Sequence, residues 1–422
     1  MTTPLFPYQQ TGAAFLAQKG RALLADEPGL GKTAQAIAAC DSLGARYVTV
    51  VCPASVRENW KREFRRFSNT DPVLHVASYD AAARKGDYFT SAIDVLILDE
   101  SHYLKTRTAK RTKAIFGPKC DGVGGLVERA KHVFCLTGTP TPNNPSELWP
   151  MLRAVMPDAI TPESGKPTSY WGFVSQYCCT RDNGFGVEIV RGKNLDKLKE
   201  RLSPFVLRRK KSEVLKDLPP ITFDELPLTS IDALKALKGH DAEMKLIRDT
   251  LEKKGVDGLA EVASHVASLR RVIGLSKVGL VVEWVKEWLD GGGGKIVLFA
   301  YHRDVIAHLQ NAFGSLAQSV TGSTHPGDRQ RCVDEFQHGH ASIFIGQITA
   351  AGTGITLTAA SDMVFVESSW VPAENEQAAM RIHRIGQKNA CIVRFATLAG
   401  SLDEQIQRAC LRKATDIARL FG

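Results

Sequence analysis

No stretch of about 18 consecutive apolar residues occurs in the chain, and residues 1–10 carry no charged and then apolar leader, so neither a membrane span nor a secretory signal is expected. The nine cysteines include no C-x-x-C and no His/Cys pair at zinc-ligand spacing, which argues against structural zinc. Several sit inside apolar strand-like runs, where a thiol acts as a small core residue. The expectation is a reduced, intracellular protein, in the cytoplasm or nucleoid for a prokaryotic or viral source and in the nucleus for a eukaryotic one. Aromatic residues make up only 8% of the chain and form no ladder for stacking single-stranded bases, which favours a duplex among nucleic-acid partners.

What the chain does have is size and positive charge. At 422 residues, 44% hydrophobic and 23% charged, it is long enough for two or three domains with cores of their own. Lys and Arg number 54 against 45 Asp and Glu, and the formal net charge of +9 favours a polyanionic partner, nucleic acid first.

Residues 26–33 read Asp26-Glu27-Pro28-Gly29-Leu30-Gly31-Lys32-Thr33, after the apolar run 22–25 and before the helix-prone stretch 34–43. A strand, a glycine turn, Lys-Thr and a helix make a phosphate cradle: backbone N–H groups and a helix N-terminus face the anion, Lys32 adds a mobile cation, and Thr33 a hydroxyl for Mg²⁺. Asp26 stands where G-x-x-x-x-G-K-[ST] has its first glycine. A second run, 93–98, is of buried-strand type and ends in Asp99-Glu100-Ser101-His102. Two carboxylates at a strand's carboxyl end suit Mg·ATP hydrolysis, with Asp99 on the metal and Glu100 polarising the attacking water.

Strands are expected at 22–25, 47–51, 93–98 and 133–136, alternating with helices as in a doubly wound α/β layer, which binds ligands at the carboxyl ends of its strands. A proline-rich region then suggests an insertion at about 141–204, with a hairpin turn at 183–186. Residues 223–290 read as a helical segment between lobes, with helices at 231–251 and 259–289, and the four glycines 291–294 mark a boundary. Beyond them, strands at 296–300, 342–345, 363–366 and 392–395 alternate with helices at 303–313, 328–337, 373–385 and 402–420, the last opened by a capping box of Ser401 and Glu404. Thus 1–222 reads as the first α/β lobe and 291–422 as the second. Two lobes with one phosphate loop suggest a cleft that the second lobe completes.

Arg381 and Arg384, three apart on the expected helix 373–385, share one face and suit stabilisation of charge on a departing γ-phosphate. A solvated basic face is the alternative.

The combination and order of these segments resemble superfamily-two helicase-like ATPases of the Snf type, motors that move along duplex DNA. The resemblance spans nearly the whole chain: Pro7-Tyr8-Gln9, residues 26–33, Asp99-Glu100-Ser101-His102, Leu136-Thr137-Gly138-Thr139-Pro140, residues 205–210 with Leu218-Pro219-Pro220, Gly352-Thr353-Gly354, and residues 377–387. Tyr177-Cys178, residues 184–186 and residues 269–278 look most like the annealing-helicase branch. The resemblance implies two RecA-like doubly wound parallel-sheet lobes with helical insertions between them, and ATP and Mg²⁺ as cofactors. Gln9 would read the adenine. Asp26, Gly29, Leu30, Gly31 and Lys32 would cradle the phosphates, and Thr33 and Asp99 would position the metal. Glu100 would orient water, while Gln377, Arg381 and Arg384 reach across from lobe two. His102 and Thr139 would couple the site to DNA, with Thr137, Gly138, Thr353 and Gly354 touching it. Met380 stands where the family usually has an acid, leaving Arg381 without its usual partner.

Residues 55–58 have the form of a capping box opening a helix whose Val56, Trp60, Phe64 and Phe67 share a face, with Arg57, Lys61, Arg62, Arg65 and Arg66 opposite. Lys105, Arg107, Lys110, Arg111 and Lys113 form a second basic cluster. Arg57, Lys61, Arg65, Lys105 and Arg107 are the expected phosphate contacts, a solvated helix face being the alternative. Double-stranded or branched DNA is the expected partner, with no membrane involved and a monomer expected. Two other readings stay open: a strand-separating helicase or the motor of a restriction or repair complex, and an ATP-gated DNA clamp with crippled hydrolysis.

Overall fold

The computed structural model describes residues 4–84, 92–138, 140, 144–162, 165–182, 186–235, 237, 239–254, 262–352, 354–369, 372–399, 401 and 403–404. The chain divides into two compact units, Met1–Lys216 and Asp217–Gly422.

The first unit is built on β1 (Arg21–Leu24), β2 (Tyr47–Cys52), β3 (Val73–Ser78), β4 (Ile93–Asp99), β5 (Ala130–Leu136) and the short β8 (Val206–Leu207). They form one sheet in the order β3-β2-β4-β5-β1-β8, and every neighbouring pair is parallel. Successive side chains of a strand leave opposite faces, and both faces here are covered, so the central strands are apolar throughout. Leu96 and Leu98 enter a core with Phe116, Leu152 and Phe173. Val95 and Ile97 enter another with Ile37, Trp60 and Phe64. Those last three come from helices α2 (Lys32–Ser42) and α3 (Arg57–Phe67), while α1 (Pro7–Lys19) precedes β1. Residues between Leu148 and Leu198 pack into the first of these cores, and strands β6 (Cys178–Asp182) and β7 (Val187–Gly192) form a separate antiparallel ribbon.

The second unit repeats the plan with β9 (Ile221–Leu228), β10 (Ile296–Ala300), β11 (Ala317–Val320), β12 (Ile343–Gln347), β13 (Asp362–Phe365) and β14 (Cys391–Leu398), ordered β11-β12-β10-β13-β14-β9 and all parallel. Ile296, Leu298 and Ala300 pack against Val281 and Val285 of the helix Ala263–Asp290, and Val297 and Phe299 face Phe336 and Ile348. Residues 223–290 therefore fall inside this unit, supplying an edge strand and a helix on one face. Among the described residues no helix is long and apolar enough to cross a membrane.

The expected strands form within a few residues of their predicted ends. Four others, β3, β8, β9 and β11, were not anticipated. β9 carries Pro227, Asp224 and Glu225, residues tolerated because it is a sheet edge.

Two local expectations are corrected. Ser55 lies in a 3-10 turn, Ala54–Val56, so α3 starts at Arg57 and Glu58 pairs with Lys61 at 2.8 Å instead of closing a capping box. The helix expected over 373–385 is Pro372–Ala379. Carbonyls beyond it are taken by other donors: Arg381 O by Leu357 N at 2.9 Å, and Ile382 O by the Gln387 amide at 3.0 Å. Arg381 and Arg384 thus stand in a turn, not on a helix face. The hairpin tip 183–185, Thr139, Thr353 and the helix expected over 402–420, apart from residues 403 and 404, lie outside the described residues.

Candidate functional site

The parallel register brings the expected motifs level at the carboxyl edge of the first sheet. Leu136 of β5 is flanked by Leu24 of β1 on one side and Asp99 of β4 on the other. The residues that follow each strand therefore share one rim: the phosphate loop, the Asp99–His102 run, and Thr137-Gly138.

Gly29 and Gly31 adopt left-handed backbone, at φ 95° and 73°, which lets the loop turn tightly onto the first turn of α2. Lys32 Nζ donates to the Asp26 carbonyl at 2.7 Å and the Glu27 carbonyl at 3.4 Å. The Leu30 carbonyl accepts from Tyr8 Oη at 3.2 Å, Gln9 Nε2 at 3.3 Å and Gln35 Nε2 at 3.2 Å, so the expected adenine-reading element is clipped to the loop. The Asp26 side chain is fully buried. Arg209 donates to it through Nε at 3.0 Å and Nη2 at 2.5 Å, and Gln35 at 3.1 Å. Arg209 also donates to the Tyr8 carbonyl and lies over the Tyr8 ring.

Asp99 ends β4. Its Oδ2 accepts from Trp60 Nε1 at 2.8 Å, its Oδ1 from Glu100 N at 3.0 Å, and its carbonyl from Tyr79 Oη at 2.8 Å. Burial, and then the Glu100 charge, push its pKa up to about 6, against the Trp60 hydrogen bond and the Lys32 charge. The influence of Lys32 on Asp99 is that of two motifs meeting at one rim. Glu100 holds φ 51° and ψ 50°, a conformation that costs a non-glycine residue about 1–2 kcal/mol. Glu100 Oε2 is 3.3 Å from His102 Nδ1, which is 2.9 Å from Thr137 Oγ1. Gly138 packs on the loop: a Cβ there would sit 2.7 Å from Pro28 Cγ.

In the second unit, Arg381 Nη1 and Arg384 Nη1 both point at the Ile355 carbonyl, at 3.5 and 3.2 Å, and Arg381 Nε donates to the Gln377 carbonyl at 2.9 Å. Neighbouring Gly354 has φ 73°. Among the expected phosphate contacts, Lys61 and Arg65 are exposed on α3, as are their neighbours Arg62 and Arg66, and Arg57 is half-buried. Lys105 is paired with Glu147 at 3.1 Å, and Arg107 lies over the Tyr170 ring. Spacing gave no sign of Trp60, Tyr79 or Gln35 as site residues. Arg209 left one signal: Asp26 directly follows the apolar run 22–25 and takes the place of the loop's first glycine, and an acid buried there calls for a cation.

Asp99 and the Thr33 hydroxyl are hard oxygen donors, and with Lys32 beside them they fit a magnesium ion that takes one or two protein ligands and completes its shell from phosphates. Among the described residues no group of three or more His, Cys, Asp or Glu side chains is placed to hold a metal.

Comparison with known proteins agrees with this geometry. The SNF2-related domain family matches residues 8–92 and 76–229, and the helicase conserved C-terminal domain matches residues 277–386. A SWI/SNF-related matrix-associated actin-dependent regulator of chromatin subfamily A-like protein 1 from Xenopus tropicalis is 29% identical over 95% of this chain and 43% of its own length. The DNA annealing helicase and endonuclease ZRANB3 of Mus musculus is 29% identical over 98% of this chain and 40% of its own. The chain thus spans less than half the length of these two relatives. The solved Sulfolobus solfataricus SWI2/SNF2 ATPase core in complex with dsDNA is 23% identical, with a TM-score of 0.46, over 97% of this chain and 91% of that one. Since the SNF2-related match alone covers more than half of the sequence, the protein belongs to the SNF2-related family of helicase-type ATPases.

Proposed function

We propose that the protein is a DNA-dependent ATPase that moves along double-stranded DNA and remodels protein–DNA or branched DNA structures. The observation that carries this reading is the common rim of Lys32, Asp99, Glu100, His102 and Thr137, set by the register of β1, β5 and β4. Gly29, Leu30, Gly31 and Lys32 hold the triphosphate, Gln9 sits by the base, and Asp26 keeps the loop in shape through Arg209. Thr33 and Asp99 hold Mg²⁺, whose chemistry when bound is to offset charge on the phosphate oxygens. Glu100 takes the proton of the attacking water. His102, between Glu100 and Thr137, couples that carboxylate to the Thr137-Gly138-Thr139 segment, where the polyanion is read.

Arg381, Arg384 and Gln377 are assigned to the γ-phosphate during turnover, Arg57, Lys61 and Arg65 to the DNA backbone, and Thr353-Gly354 with Lys105 and Arg107 to secondary contacts. Lys105 gives up Glu147 to reach a phosphate. Burial pushes the thiols of Cys40, Cys52 and Cys135 up, so they stay protonated and inert, in keeping with a reducing intracellular compartment. A monomer is sufficient for all these roles.

Steady-state ATPase rates with and without duplex DNA at low salt test the reading. Duplex is expected to stimulate turnover, with Lys32→Ala and Glu100→Gln each abolishing it. Unstimulated hydrolysis would overturn the DNA assignment, and an active Glu100→Gln protein would remove Glu100 as the base.

A further inference from the structure

Helix α3 carries two unlike faces. Lys61, Arg62, Arg65 and Arg66 are exposed on one. On the other, Trp60 is 1% exposed, and its indole N–H ends on Asp99 Oδ2 at 2.8 Å. An indole nitrogen only donates, and once buried it needs an acceptor. Here that acceptor is the carboxylate at the carboxyl end of β4. Its second oxygen takes the Glu100 N–H and its carbonyl takes the Tyr79 hydroxyl, so Trp60 is the side chain that sets the orientation of the carboxyl group itself. Beyond the end of α3, Ser68 Oγ at 2.7 Å, Asn69 N at 2.7 Å and Thr70 Oγ1 at 2.8 Å all bond to Asp41, near the end of α2. The basic helix is therefore pinned to Asp99 in its middle and to the phosphate-loop helix just past its end.

We propose that Trp60 is a positioning residue for Asp99, and that through it a polyanion lying on the basic face of α3 sets the affinity of the site for its divalent cation. The inference rests on the reading of Asp99 as a magnesium ligand. Outer partners that orient a ligating carboxylate typically govern metal affinity by 10–100-fold. Because coupling between two binding sites is reciprocal, duplex and Mg²⁺ strengthen each other's binding.

The test is equilibrium binding of a fluorescent ATP analogue as a function of Mg²⁺, with and without duplex DNA, read without turnover. Wild type is compared with Trp60→Phe, which keeps an aromatic ring and deletes the N–H. A second variant carries benzothienylalanine at position 60, an isostere with sulfur in place of N–H, which keeps the packing if phenylalanine does not. In wild type, duplex is expected to lower the Mg²⁺ midpoint. In both variants the midpoint rises by about tenfold, excess Mg²⁺ restores binding, and the duplex shift is lost. Variants that keep the wild-type midpoint, or the wild-type duplex shift, overturn the proposal. A wild type that binds no nucleotide, or whose Mg²⁺ midpoint ignores duplex while duplex still stimulates hydrolysis, separates the two ideas: the first result sinks the nucleotide reading, the second only this coupling.

Discussion

Arg209 donates to both oxygens of Asp26, to Gln35 and to the Tyr8 carbonyl, so one guanidinium joins the phosphate loop to α1 and α2. Removing one partner of a buried pair leaves an uncompensated charge, and Arg209→Ala is expected to cost about 3–5 kcal/mol. Urea unfolding at neutral pH measures it, and a loss below about 1 kcal/mol would mean that Asp26 is satisfied without Arg209. Asp99 gives the pH dependence. Its pKa of about 6 lies above the ordinary carboxylate value, so the stability it contributes is fully present below the unfolded value, about 3.9, and is lost as pH rises through about 6. Magnesium takes the ionised form, so the two effects run in opposite directions. Mg²⁺-dependent nucleotide binding is expected to weaken about tenfold per unit below pH 6, and an acid limb displaced to the ordinary carboxylate range would refute the assignment.

At the level of elements, what positions the site is the level ending of β1, β5 and β4, and most of that was readable. Their apolar runs announced buried strands, and the glycine loop and the Asp99-Glu100 pair announced their own chemistry. What was not readable depended on contacts distant in sequence. Trp60 satisfies the periodicity of an amphipathic helix equally well whether or not its nitrogen meets a carboxylate 39 residues away. The helix expected over 373–385 has continuous helical pattern, and beyond Ala379 the Arg381 carbonyl goes to Leu357 N–H and the Ile382 carbonyl to the Gln387 amide, a tertiary demand that overrides propensity. The contact of Gly138 with Pro28 was equally hidden. Overpacking of this kind costs about 1–3 kcal/mol. For Gly138→Ala the displaced partner is the phosphate loop, so nucleotide affinity is expected to fall about tenfold by calorimetric titration, and unaltered affinity would show that Pro28 yields freely.

For the molecule as a whole, a formal charge of +9 predicts DNA binding through phosphates and indifferent to sequence. Plotted as log affinity against log salt, anisotropy measurements should give a straight descending line, and replacing Lys61 and Arg65 together by glutamine should flatten its slope by about 1.8, near 0.9 for each lost contact. A slope that does not change would move the DNA off α3.

The left-handed backbone of Glu100 has a bearing on any attempt to improve the protein. Glycine occupies that conformation without penalty, so Glu100→Gly should melt later than Glu100→Ala by an amount near 1 kcal/mol, while neither hydrolyses ATP. A screen rewarding heat resistance alone would therefore drift toward an inert protein at this position, because the torsion that presents the base is one the fold would sooner relax.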